Sequence, residues 1–189
     1  MKNKQEIMIK EYEELRSEIE QKIGIQNSLI TFMITAVIAV LTFAIGGNNS
    51  ILYLLPFGII IPTSMRITYY RTAMARISAY IVVYIEKNIE ELNWETRIHN
   101  FVYKNHDTFR DNVTISQYYE GMILSVICYL LFLFDFIKGK TICLSVIIYC
   151  ILPVLFVVWE MIITRRIAGF TKERNFWINQ WEDVKNSNQ

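Results

Sequence analysis

Apolar residues fall in blocks along this chain, with the polar residues gathered between them. Residues 28–45 carry no charge over 18 positions, which at 1.5 Å per residue is roughly 27 Å and close to the thickness of a hydrocarbon core. They predict a first membrane span. Gly46-Gly47-Asn48-Asn49-Ser50 follows, residues that tolerate positive φ or bond their own backbone, so the chain is expected to reverse there. The return block, 51–65, is short and holds Pro56, Gly58 and Pro62, each of which weakens or bends a helix. Arg66 and Arg71 complete the crossing by snorkelling to the interface. A second pair repeats the plan: 121–137, a turn at Lys138-Gly139-Lys140, then 141–163 with Pro153 inside it.

The segments between the blocks have helical periodicity of their own. Met8, Tyr12, Leu15, Ile19 and Ile23 recur at steps of three and four, with glutamates on the other faces, which predicts an amphipathic helix with a partner-helix face. Ile77, Ile81, Tyr84, Ile85 and Ile89 continue the second span inward as a helix to about Leu92. The two stripes can cover each other, or one of them can meet another subunit or protein. Beyond Trp94 the pattern breaks into an interfacial segment or short helix, and Phe170, Phe176, Trp177 and Trp181 in the tail suit the headgroup level. The expected fold is thus an all-α membrane protein of four transmembrane helices in two hairpins. Its divisions are an entry helix (1–27), a hairpin (28–65), a helical linker (66–120), a second hairpin (121–163) and a tail (164–189). The pairs Leu55-Pro56 and Leu152-Pro153, each followed by basic residues, hint at an internal duplication.

Composition agrees with the blocks, at 53% hydrophobic and a mean hydropathy of +0.27. The formal net charge of +1 offers no field for nucleic acid, and none is expected as a partner. Regional charge says more. Seventeen of the 19 basic residues lie in 1–27, 66–120 and 164–189, which the positive-inside rule places in the cytoplasm with both termini, the two turns facing out. This is the multi-pass topology of a cell inner membrane protein. The first block is too long and too late for a cleaved secretory signal. Cys128, Cys143 and Cys150 all lie in apolar runs and read as small hydrophobes.

Little of the chemistry-bearing inventory points to catalysis. His99 and His106 match no zinc spacing, and with Arg97 they fail the spacing of the Arg-and-His signature of HEPN-type ribonucleases. Phosphate-cradling and nucleophile-elbow motifs do not occur, so no enzyme activity, cofactor or metal is expected. Ionisable residues are scarce in the spans, and Asp135, Glu160, Arg165 and Arg166, like Arg66 and Arg71, are expected as interfacial charges. The most suggestive pattern in the membrane is Asn27, Thr31, Thr35, Ala39, Thr42 and Gly46, a small, weakly polar face of the first span. It can pack closely on another helix or, repeated around a ring, line a pore.

A charged entry helix, a tight two-span hairpin and a long inward helix resemble the layout of SLATT-type two-span effectors of bacterial defence systems, over residues 1 to about 95. The second hairpin departs from that pattern, and the whole chain is similar in size to small four-span accessory proteins of phage-defence loci. The resemblance implies a self-associating, non-catalytic effector or sensor that alters membrane permeability, with the lipid bilayer and further copies of the chain as partners. Two alternatives remain: a membrane anchor or scaffold that recruits a cytosolic protein through the entry helix and linker, and a small channel or carrier.

Overall fold

The amphipathic entry segment and the first apolar block form one unbroken helix, α1 (Lys2–Gly46), because no proline or paired glycine interrupts the sequence before Gly46-Gly47. In this computed structural model the described residues are 2–47, 49–89, 91–104, 110–138, 150–151, 153–168 and 170–187. After α1 the chain turns at Asn49, whose side chain accepts from the Ile51 amide at 3.1 Å and starts a short 3₁₀ helix, Ser50–Leu54. Helix α2 (Phe57–Tyr80) then runs with Pro62 inside it and passes without a break into a π-helical turn, Ile81–Glu86. Next come α3 (Trp94–Lys104), α4 (Arg110–Ile137), α5 (Val154–Ala168) and α6 (Phe170–Ser187). The described residues contain no strand.

The helix that carries the third apolar block, 121–137, starts upstream of it at Arg110 and runs through it to Ile137. Two expectations about these elements are corrected. The inward helix stops at Glu86 and not near Leu92. Pro153 opens a helix instead of lying within one: its carbonyl accepts from the amides of Phe156 and Val157 at 3.0 and 3.4 Å. Pro56 does the same for α2, accepting from Ile59 and Ile60 at 2.9 Å each. A proline at a helix start forfeits no intrahelical bond, so both residues initiate their helices.

The chain divides into two compact units. One collects Met1–Gln26, Tyr69–Ile115 and Gly169–Gln189, and is called here the polar unit. Its core joins Ile19 to Met74, Ile81, Ile85 and Ile89, with Met8, Tyr12, Leu15, Ile77, Tyr80 and Leu92 packed on it. Covering these side chains is what makes an amphipathic stripe fold as a helix in water.

The other, the apolar unit, holds Asn27–Thr68 and Ser116–Ala168. Met33, Val37, Phe57, Ile60 and Cys128 form its centre, with Ala44, Tyr53 and Phe132 in a second cluster. Its outward residues are large and apolar: Phe43 is 71% exposed, Phe134 75%, and Leu155 and Trp159 more than half. Ser64, Ser125, Glu160 and Thr164 are meanwhile buried. A surface of large apolar side chains, with a few polar residues enclosed in an apolar interior, is an arrangement suited to lipid. Among the described residues three helical stretches, Lys4–Gly46, Ser50–Glu86 and Tyr119–Ile137, are long and apolar enough to cross a membrane. The expected fourth span, 141–163, falls partly outside the described residues; its described remainder contains most of α5, whose full extent is 15 residues.

Candidate functional site

In the polar unit, the loop between the π-helical turn and α3 is closed by a glutamate. Glu86, 4% exposed, accepts hydrogen bonds from the Glu95 amide at 2.6 Å, the Thr96 amide at 3.2 Å and the Thr96 hydroxyl at 2.5 Å. A carboxylate so placed satisfies orphan amides of the first turn and meets the positive end of the helix dipole. Glu95 faces the other way, accepting from Arg16 Nη1 and from Ser78 Oγ at 2.7 Å each. Arg174 Nε in turn donates to Ser78 Oγ at 3.0 Å, and its Nη2 donates to the Glu95 carbonyl at 3.4 Å. Burial pushes the Arg174 guanidinium below its ordinary pKa, and the charges of Glu95 and Glu86 oppose that shift. The network ties α1, α2, α3 and α6 together through groups 9 to 96 residues apart.

The expected partner-helix face is occupied from within. Met8, Tyr12, Leu15 and Ile19 pack against the C-terminal end of α2 and the π-helical turn, while Ile23 stays 44% exposed. Tail aromatics expected at the headgroup level also contact protein in this unit. The Trp181 indole donates to the Arg76 carbonyl at 3.2 Å, with its ring edge-on to Tyr80 and Tyr84, and Trp177 lies under the Arg76 guanidinium. Phe176 remains exposed.

The weakly polar face of α1 has the opposite fate. Asn27, Thr31, Thr35, Ala39, Thr42 and Gly46 are all exposed, while Met33, Val37 and Ala44 turn inward. The threonine hydroxyls donate back to their own helix: Thr31 to the Asn27 carbonyl at 3.0 Å, Thr35 to Thr31 and Thr42 to Ile38 at 2.8 Å each. With its polar hydrogens satisfied, this face is compatible with hydrocarbon and smooth enough for close contact with another helix.

The expected interfacial charges separate into two groups. Arg66, Arg165 and Arg166 are exposed, the last two in the final turn of α5, where cations suit the helix dipole. Arg71 is 8% exposed, within the polar unit, and Glu160 is 1% exposed, enclosed by the apolar unit. Helical phase explains Glu160: it shares the inward face of α5 with Pro153 and Thr164, whereas its basic neighbours point out. Asp135 accepts from Ser50 Oγ at 2.7 Å, joining the C-terminal end of α4 to the 3₁₀ turn. His99 lies on α3; His106 and Cys143 lie outside the described residues, as does Leu152 of the second Leu-Pro pair.

Sequence periodicity passed over Glu86, Glu95, Ser78 and Arg174, whose partners are too far along the chain to show a pattern. It also passed over Ser64 and Ser125, although Gly121 and Ser125 lie one helical turn apart in a run that is otherwise apolar. The fold and these sites define an all-helical membrane protein with a hydrogen-bonded polar unit. No protein-family model, curated protein or solved structure matches the chain.

Proposed function

We propose that this chain is a non-catalytic, multi-pass protein of a bacterial inner membrane, with both termini cytoplasmic, that associates with copies of itself and alters membrane permeability as a defence effector or sensor. The observation that carries this reading is the outward face of α1: six small or weakly polar residues in register over about five turns, exposed, with their hydroxyls already bonded. Large lipid-facing side chains surround it, so a second α1 is the surface that fits it best. The layout resemblance over residues 1 to about 95 supports the effector class. Clustering of the basic segments 1–26, 69–115 and 169–189 in one unit supports a single, cytoplasmic side for them.

The test pairs leakage with proximity. Overexpression of the parent is expected to make cells permeable to a small dye, and an Ala39→Cys variant to yield a disulfide-linked dimer under mild oxidation. Thr31→Leu with Thr35→Leu is expected to remove both signals while the protein still inserts. Leakage that persists in the double variant, or a parent that causes none, overturns the proposal. The scaffold alternative loses support because the entry stripe it needs is already covered by α2.

A further inference from the structure

The apolar unit encloses a carboxylate that the self-association reading does not use. Glu160 is 1% exposed, and one of its oxygens, Oε1, accepts from Ser64 Oγ at 2.6 Å, its one hydrogen bond among the described residues. The other oxygen, Oε2, is buried and has no hydrogen-bond partner there. Two further hydroxyls share that condition: Ser125 Oγ, at 0% exposure, and Thr164 Oγ1, at 1%. Thr164 stands one turn from Glu160 on α5, and Ser125 one turn from Gly121 on α4.

Gly121 joins the two helices at this level. A Cβ there would overlap Glu160 Oε1 and come within 2.8 Å of Ser64 Oγ, so the carboxylate takes its place against α4 in the space left by the missing side chain. Helix α4 thus lies against the Glu160–Ser64 pair at Gly121, and three buried oxygens on α4 and α5, within about one helical turn of that level, have hydrogen-bonding capacity left over. Unmet polar groups in such a place cost free energy unless something binds them.

We propose that Ser64, Ser125, Glu160 and Thr164 form a binding site for a monovalent alkali cation, with Na⁺ as the species to test. The donor set is hard oxygen throughout, one carboxylate and three hydroxyls, which suits an alkali ion and not a thiolate- or imidazole-seeking metal. Its single negative charge balances one positive charge; divalent ions favour several carboxylates or retained waters. A cation held here leaves no net charge in the membrane interior. The site is independent of the α1 face, and its test does not depend on oligomerisation.

The experiment uses the purified full chain in detergent and a hydrophobic carbodiimide, which modifies a protonated carboxyl in an apolar setting, with the product located by peptide mass. At fixed, mildly acidic pH and without alkali ions, Glu160 is expected to be modified. Modification should slow about tenfold once Na⁺ exceeds its dissociation constant tenfold, since about one site in eleven is then open. Choline at equal ionic strength should give no protection. Thr164→Val is expected to shift the protection midpoint to higher Na⁺, and Thr164→Ser, which keeps the oxygen, to restore it. Direct binding of radioactive Na⁺ should be present in the parent and absent in Glu160→Gln, a variant that keeps the side-chain volume. Equal modification in Na⁺ and choline, no modification of Glu160, or equal Na⁺ binding by parent and Glu160→Gln overturns the proposal.

Discussion

At the scale of single residues, Glu86 shows how much one carboxylate can organise. It accepts from two amides and a hydroxyl at the start of α3, so Glu86→Ala leaves those donors buried beside a vacated space. A loss of about 2 kcal/mol is expected, read as a lower thermal midpoint in detergent, with faster hydrogen exchange at the Glu95 and Thr96 amides. Arg174 makes a sharper case. Its guanidinium donates through Nε to a side chain and through Nη2 to a carbonyl, a geometry an ammonium does not reproduce. Arg174→Lys is therefore expected to cost roughly 1–3 kcal/mol, also read from the thermal midpoint. Neither residue was legible beforehand. Glutamates and arginines are common in polar segments, and Glu86, Glu95 and Arg174 acquire meaning only when helices far apart in sequence come together. Glu160 was legible as an unusual residue but its burial was not, because nearness in sequence to Arg165 and Arg166 outweighed the helical phase that turns it inward.

At the scale of elements, the hydrophobic blocks located the helices well and their ends poorly. The uncharged run 28–45 left little choice but a helix, whereas its continuity with the entry helix followed from an absence of breakers, a weaker signal. Proline was the chief source of error. Pro56 and Pro153 open helices, and Pro62 is accommodated inside α2, so a count of prolines did not measure the length of a span. The periodic stripes were clearer: Met8, Tyr12, Leu15 and Ile19 cover the stripe of α2, one of the two arrangements their spacing allowed. Replacing Leu15 and Ile19 together with aspartate is therefore expected to unfold the polar unit, with a combined loss of roughly 3 kcal/mol or more. Limited proteolysis should then cut within 69–104 at protease levels the parent survives. Unchanged resistance would show that the stripe contributes nothing to this packing.

At the scale of the whole molecule, the expected all-helical, membrane-embedded class agrees with three helices of sufficient length and apolarity. The division into units follows a simple contrast: segments rich in charge add hydrogen bonds and an ion pair to an apolar core, and segments poor in charge assemble mainly through apolar contacts. The proposed topology gives a direct prediction. A membrane-impermeant thiol reagent applied to intact spheroplasts is expected to label Lys138→Cys but not Lys172→Cys, in a background lacking the native cysteines. Permeabilisation should reveal the second site, and the reverse pattern would invert the chain.

The apolar unit is apolar on the outside as well as within, with Phe43, Phe134, Leu155 and Trp159 outermost and Ser64, Ser125 and Thr164 enclosed among aliphatic and aromatic side chains. Its solvent preference is therefore written on its skin and its shape in its interior. The two can be edited apart: exchanging only the outward aromatic and aliphatic side chains for polar helix formers changes the medium in which the helices assemble, while every contact that decides how they assemble stays in place.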